Sequence, residues 1–515
     1  MRILLLVAAV ALALVGALIG RSADARVAKP ALIPAPVSLQ AKSGSYTLGA
    51  GTQIVASGAA APVGAYLHSL LARATGLALP VTGSGKGIAL ELGGPGTIGD
   101  EGYVLDVSKG GVTIQGRTAA GLFHGVQTLR QLLPAGIESA TRQSGAWSIP
   151  SVHVVDYPRF TWRGAHLDVA RHFFGVQDVE RYVDLLALYK LNTLHLHLSD
   201  DQGWRIAIAS WPRLATVGGS TQVGGGKGGY YTQAQYKAIV RYAGARFITV
   251  VPEIDSPGHV NAALASYAQL NCNGKATKLY TALQVGFSSL CISKAITYRF
   301  VDDVVREISA LTPGKYFDVG GDEAQSTSPA DLATYLKKAE GIVEAHGKTV
   351  FGWVPGIEAG NLHGAVGEYW NPARGSADGT QSARTAVKQG MKLVMSPAST
   401  AYFDQKYDPS TPLGLTWAGY NSVRNAYSWD PAAFVTGVGE KDVLGVEAAL
   451  WSETLVTLRD IQYMTLPRLP GLAEIGWSPR TGRSWAEYRL RLATQAPRWR
   501  AMGATYFRSG QVPWK

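Results

Sequence analysis

From Asp156 onward the chain repeats one rhythm: a short apolar strand, a helical pattern, then the next strand. Candidate strands fall at 163–169, 193–198, 247–254, 316–320, 349–353, 365–370, 392–396 and 445–450, each an apolar run bounded by turn-forming residues. Helical periodicity fills most of the gaps, for example at 179–188, 232–242, 296–310 and 330–346. Strands joined by helical crossovers lie parallel, and eight such units predict a (β/α)8 TIM barrel. The stretch 397–443 is long and loop-like. In such barrels the working residues sit at the C-terminal ends of the strands, which gives a filter for the rest of the sequence.

The filter selects a consistent set. The first strand leads into Asp168-Val169-Ala170-Arg171-His172 and the second into Ser199-Asp200-Asp201-Gln202-Gly203-Trp204. The third leads into Glu253-Ile254-Asp255-Ser256-Pro257-Gly258-His259, and the fourth into Asp322-Glu323. Later strands end in Trp353, Trp370 and Trp451-Ser452-Glu453, while the long loop offers Tyr402, Asp404 and Trp417. Acids, an arginine, a histidine and a wall of aromatics therefore converge on one mouth. Aromatic planes suit the C–H faces of a pyranose ring, Arg and carboxylates fork onto its hydroxyls, and carboxylates supply the acid for glycosidic cleavage.

The fourth strand ends oddly, in Phe317-Asp318-Val319-Gly320-Gly321-Asp322-Glu323. Two glycines weaken a strand and two adjacent acids repel each other, so the sequence accepts local costs where a backbone can be approached closely, and the expected occupant is a ligand. Like charge raises the pKa of one acid, so one carboxyl can act as general acid while its neighbour stays ionised. Strand alternation would put Asp318, Gly320 and Asp322 on one face, with Asp318 deeper and in need of a partner.

Residues 26–155 read as a separate small α+β domain, with strands at 52–56, 88–92, 102–107 and 111–115 and helices at 61–75 and 119–133. It carries no catalytic constellation. Residues 1–25 read as a secretory signal peptide: Arg2, an apolar run over 3–19, and Ala23-Asp24-Ala25 as cleavage site. The competing reading is a membrane anchor, since the run is nearly long enough to span. Secretion or periplasmic export, with no stable membrane association afterwards, is the expectation. In an exported chain Cys272 and Cys291, the two cysteines present, are expected to pair and close a loop, stabilising the fold by about 3 kcal/mol; two buried free thiols are the alternative. A net charge of +11 from 48 Lys and Arg against 37 Asp and Glu comes with no basic run and no nucleic-acid motif, so no nucleic-acid partner is expected.

Four blocks together carry a family resemblance: Arg163-Gly164 through Asp168-Val169-Ala170-Arg171-His172-Phe173, His195 through Trp204, Glu253 through His259, and Gly320-Gly321-Asp322-Glu323. The chain resembles family 20 glycoside hydrolases, the β-N-acetylhexosaminidases, over nearly its whole mature length. The resemblance implies hydrolysis of terminal β-linked N-acetylhexosamine from an amino-sugar oligosaccharide, with the substrate's 2-acetamido oxygen as nucleophile, an oxazolinium intermediate and net retention. It implies Glu323 as general acid and base, Asp322 as the group orienting the acetamide, and Asp200 with His259 as a pair keeping Glu323 poised. Tyr402 would bond the acetamide oxygen; Trp353, Trp370 and Trp451 would box the ring; Arg171, Asp404 and Glu453 would hold hydroxyls; Trp417 would wall the pocket. No cofactor is implied. The chain departs from the family pattern at Asp318, where a histidine is usual.

Two rival readings compete with this one. His195-Leu196-His197 puts two imidazoles on one strand face, as in a metal-dependent barrel hydrolase, with His166, His259 or an acid completing the set. A catalytically silent chitin-binding protein would need the aromatic mouth but not the paired acids.

Overall fold

The computed structural model describes residues 28–371 and 377–514; the expected signal peptide lies outside them. Among the described residues no helix is long and apolar enough to cross a membrane.

The first seven strands form one mixed sheet: β1 (Ser38–Thr47), β2 (Gln53–Val55), β3 (Val81–Thr82), β4 (Gly87–Leu92), β5 (Tyr103–Ser108), β6 (Gly111–Gly116) and β7 (Ser148–Asp156), in the order β1-β7-β5-β6-β4-β2-β3. Period-two alternation in β5 and β6 buries Tyr103, Leu105, Val107, Val112 and Ile114. Helices α1 (Ala61–Thr75) and α2 (Ala119–Leu132) pack against this sheet, and the Thr118 hydroxyl caps α2 by accepting from the Ala120 and Gly121 amides. β1, β3 and β7 add to the strands expected from sequence. β1 is an edge strand whose middle is exposed, so it shows no apolar alternation.

Asp156 ties this domain to the barrel. Its carboxylate accepts from Tyr103 Oη at 2.6 Å, Lys190 Nζ at 2.9 Å and Trp477 Nε1 at 2.9 Å, all buried. Arg163 forks onto Glu101 across the same junction at 2.6 and 3.0 Å.

Eight parallel strands close that barrel. In order they are β8 (Trp162–Asp168), β9 (Thr193–His197), β12 (Thr249–Glu253), β13 (Tyr316–Asp318), β14 (Thr349–Val354), β15 (Val366–Tyr369), β16 (Lys392–Met395) and β17 (Val443–Ala448). The small ribbon β10 (Ser199–Asp200) and β11 (Gly203–Trp204) interrupts the count after β9. Each barrel strand coincides with one expected from sequence to within a few residues. Near one end of the barrel an apolar plug of Trp162, Val251, Phe351, Val366 and Val394 fills the interior, with the Trp162 and Phe351 rings stacked at 4.9 Å. Against it sits a fully buried layer of titratable groups, His166, His195, Glu253, Asp318, Glu368 and Glu447, and the mouth opens beyond that layer.

Candidate active site

The strand ends build the mouth through short-range backbone capture. Asp168 ends β8, and its carboxylate accepts from the amides of Ala170 at 2.8 Å, Arg171 at 3.0 Å and Ser452 at 3.0 Å. That turn brings Arg171 Nη2 to 2.8 Å from Asp200 Oδ2 and lays its guanidinium over the Trp451 ring at 4.7 Å. Asp200 Oδ1 meets His259 Nδ1 at 3.2 Å, and His259 Nε2 meets Glu323 Oε2 at 3.3 Å. The expected Asp200, His259 and Glu323 series is therefore in contact.

The glycine pair has a different cause from the one expected. β13 stops at Asp318, and Gly320 and Gly321 take φ of 72° and 95°, so alternation does not carry through to Asp322 and the shared-face placement of Asp318, Gly320 and Asp322 does not hold. What approaches Gly320 is not a ligand but Asp255: a Cβ there would lie 1.7 Å from Asp255 Oδ1, which accepts from the Gly321 amide at 3.3 Å. His259 and Glu323 also have left-handed backbones, with φ of 54° and 43°. Such conformations persist in non-glycine residues only where their surroundings enforce them, and they concentrate at functional sites.

Asp318 has partners. Its Oδ1 accepts from the Gly320 amide at 2.6 Å and its Oδ2 lies 3.3 Å from His195 Nε2. Burial and the neighbouring Glu253 push it up to about 6 against the pull of His195.

A cavity of about 350 Å³ occupies the mouth, within the size range of small-ligand sites. Of the twelve mouth residues expected from sequence, nine line it; Asp200, Trp353 and Asp404 do not. Trp353 is 1% exposed, donates its indole N–H to Glu253 Oε1 at 2.8 Å and backs Trp451 with ring centroids 5.6 Å apart. Asp404 is buried, accepts from Gln405 Nε2 at 2.7 Å and feels the charge of Glu453. The aromatic wall is continuous: Trp417 is 6.2 Å from Trp370 and 5.8 Å from Tyr402, and Tyr402 is 6.1 Å from Trp451. Asp255, Leu283, Val285 and Leu415 line the cavity too. Asp255 stood in plain view two residues past the strand end Glu253. The apolar residues carried no sequence signal.

The electrostatics favour bound polar groups. Burial pushes Asp322 up to about 7, opposed by His259 and aided by Glu323 and Glu253; burial and Asp322 hold Asp255 well above the usual range. Burial and Glu453 raise Asp404 to about 8. Burial and Asp168 raise Glu453 to about 7 against Arg171. Asp322 Oδ1, Asp404 Oδ1 and Glu453 Oε2 are buried oxygens without a hydrogen-bond partner among the described residues. Buried acceptors of that kind are costly unless a ligand's N–H or O–H satisfies them.

The two strand imidazoles proposed for a metal hydrolase, His195 and His197, are spoken for by carboxylates. His197 contacts Glu253 at 2.6 Å and Asp200 at 2.8 Å, and His195 Nδ1 contacts Glu447 at 2.8 Å. Among the described residues, His166, His197 and Glu253, and likewise His195, Asp318 and Glu368, could group round an ion inside the barrel, where no position is open to substrate. At the mouth His259 groups with Asp322 and Glu323, and with Asp200 and Asp255, which offers one imidazole among carboxylates and not the two-histidine strand set. Cys272 and Cys291 form the expected disulfide. It closes the loop that carries Leu283 and Val285 to the cavity wall. A larger cavity of about 680 Å³ opens beside that loop, without the paired acids.

Comparison with known proteins is consistent across the chain. The model for the glycosyl hydrolase family 20 catalytic domain matches residues 160–480, and that for domain 2 of the same family matches 29–157. A beta-N-acetylhexosaminidase from Cellulomonas fimi is 41% identical over 491 residues, covering 94% of this chain and 97% of its own. The GH20 beta-N-acetylhexosaminidase structure from Streptomyces coelicolor A3(2) superposes with a TM-score of 0.91 at 53% identity, covering 95% of this chain and 100% of that one. A mutant Streptomyces plicatus beta-hexosaminidase in complex with its product GlcNAc gives 0.92 at 53% identity, covering 95% and 99%. With a closed barrel, its preceding sheet domain and a carboxylate-rich aromatic mouth all matched along nearly the full length, the chain belongs to glycosyl hydrolase family 20.

Proposed function

We propose that the protein removes terminal, non-reducing β-linked N-acetylhexosamine from oligosaccharides such as chito-oligomers, with retention of anomeric configuration. The observation that carries this reading is that Asp322 and Glu323 are sequence neighbours on one wall. Two carboxyls placed side by side do not flank a sugar ring as an acid and a protein nucleophile must, so the attacking oxygen comes from the substrate's own 2-acetamido group.

Glu323, 31% exposed and backed by His259, protonates the leaving oxygen as the C–O bond breaks. The acetamido oxygen closes on the anomeric carbon and gives an oxazolinium. Asp322 accepts the acetamide N–H with its unpartnered Oδ1 and balances the developing positive charge. Tyr402 donates to the acetamido oxygen and holds it in line for attack. Glu323, now ionised, then takes a proton from water, which opens the oxazolinium from the face the leaving group vacated. Trp370 and Trp451 box the ring, with Trp353 as the brace behind Trp451, and Trp417 stands at the rim, 51% exposed. Arg171, Glu453 and Asp404 hold ring hydroxyls.

We read the chain as a signal peptide over 1–25, a supporting domain over 26–155 and the catalytic barrel over 156–515. Export is supported by the N-terminal pattern and by a disulfide that an oxidising compartment sustains. The test is release of 4-nitrophenol from its N-acetyl-β-glucosaminide with product configuration followed by NMR. Inverted product, or equal turnover of the glucoside lacking the N-acetyl group, refutes the reading.

A further inference from the structure

We propose that Glu253 and His197 are positioning residues for the acid–base step. They extend the support of Glu323 inward from Asp200 and His259 to a line of four buried groups of alternating charge. The inference rests on Glu323 being the acid in the proposed reaction.

The contacts form one continuous path, with side contacts at Glu253 and Asp200. Glu253 Oε2 lies 2.6 Å from His197 Nδ1, and His197 Nε2 lies 2.8 Å from Asp200 Oδ2. Asp200 Oδ1 lies 3.2 Å from His259 Nδ1, and His259 Nε2 lies 3.3 Å from Glu323 Oε2. Glu253, His197, Asp200 and His259 are all 3% exposed or less. His197 stands between two carboxylates. An ionised carboxylate only accepts, so an imidazole that bonds both must carry a proton on each nitrogen. The line therefore reads minus, plus, minus, plus, ending at the acid.

The surroundings act on that assignment in both directions. Against the cation stands Arg171, a donor-only guanidinium whose Nη1 is 3.3 Å from Nε2. The Trp451 ring at 5.0 Å and the His166 ring at 5.6 Å also face His197, and the shorter carboxylate contacts at 2.6 and 2.8 Å decide for the imidazolium. Facing Glu253 are Trp353, which donates to Oε1, His195 at 3.2 Å and His166 at 3.6 Å; the charges of Asp255, Asp318 and Asp322 also reach it. Burial works against the His197 cation, yet Glu253 and Asp200 push it up to about 10. Burial works against the Glu253 anion, yet His197 and His195 hold it well below the usual range. His166, pushed down to about 3 by burial, stays neutral. Asp200 also accepts the Asp201 amide at 2.5 Å and Arg171, so its carboxylate is fixed in rotation with Oδ1 aimed at His259. No proton needs to travel along the line. It fixes His259 as a donor and sets the field in which Glu323 gives up and regains its proton.

The test separates a role in acid catalysis from mere structural support. Glu253→Gln keeps an acceptor for Trp353 but offers His197 an N–H, so the imidazole becomes neutral. kcat/KM for N-acetyl-β-glucosaminides with poor leaving groups, which need the acid, should fall about 10–100-fold, while 2,4-dinitrophenyl glycosides should stay within about 3-fold. The alkaline limb of the kcat/KM profile should shift. His197→Asn should give the same split, and Glu138→Gln, a similarly buried charge paired with Arg130 and Arg498 and off the line, should not. An equal fall for both substrate classes, or no fall, overturns the proposal. Histidine ¹⁵N shifts of the wild-type protein decide the matter even if the variants do not fold: both His197 nitrogens protonated from pH 5 to 8 is expected, and a neutral ring refutes it. Absence of wild-type turnover would instead sink the functional reading on which this one stands.

Discussion

Replacing Gly320 with Ala tests whether the turn before the paired acids is shaped by Asp255. The left-handed backbone at this position (φ 72°) costs a non-glycine residue about 1–2 kcal/mol. The new Cβ would lie 1.7 Å from Asp255 Oδ1, so the carboxylate has to leave and release the Gly321 amide, at about 1–3 kcal/mol for a buried donor left unsatisfied. The sum is about 2–5 kcal/mol. For a folding unit of this size that corresponds to roughly 1–2 °C per kcal/mol, so calorimetry should show a fall of about 2–10 °C. A displacement of about 1 Å at Asp322 and Glu323 should also cost about 100-fold in kcat/KM. Gly390→Ala is the control: its φ is 91° and a Cβ there meets nothing within 4 Å, so only the backbone term applies and activity is kept. A Gly320→Ala enzyme matching Gly390→Ala in both readouts refutes the argument.

Glu323→Gln should lose most activity on substrates with poor leaving groups and less on activated ones, whereas Asp322→Asn should lose it on both; steady-state kinetics on a leaving-group series checks this. Asp318 has a folded pKa of about 6, above the carboxylate value of 3.8, so the native state binds the proton more tightly than the unfolded chain. Its contribution is fully present below pH 4 and is lost as pH rises through 6, by about 3 kcal/mol. Asp318→Asn should therefore flatten the stability change between pH 4 and 7 in denaturant titrations, and Asp318→His should keep turnover within about 10-fold at its optimum. Reducing the Cys272–Cys291 bridge should remove about 3 kcal/mol of stability and raise KM for disaccharides, because the loop holding Leu283 and Val285 against the cavity is freed.

The barrel was legible because its strands are buried on both faces and so read as apolar runs between turns, and because strand ends carry the unusual residues. The four motif blocks located Arg171, Asp200, His259, Asp322 and Glu323 without the structure. Other features left no periodic trace. Glu368 and Glu447 are single acids inside apolar strands, and nothing in sequence shows that they meet His195 at 3.4 and 2.8 Å. The reading of β13 ran two residues too far because a left-handed glycine pair looks like a weak strand until its dihedrals are known. Trp353 lies outside the cavity lining, backing Trp451 and bonded to Glu253 through its indole N–H, a placement that sequence alone does not show. β1 was missed because an exposed edge strand has no apolar face to alternate.

The seam of the barrel runs through the pocket. β17 pairs with β8, Asp168 accepts the Ser452 amide, and His172 Nδ1 meets the Ser452 carbonyl at 2.6 Å. The first and last segments of the barrel are thus stitched together beside the cavity. A chain emerging from the ribosome cannot close this pocket until residue 453 has cleared the exit tunnel, so prematurely terminated products lack it.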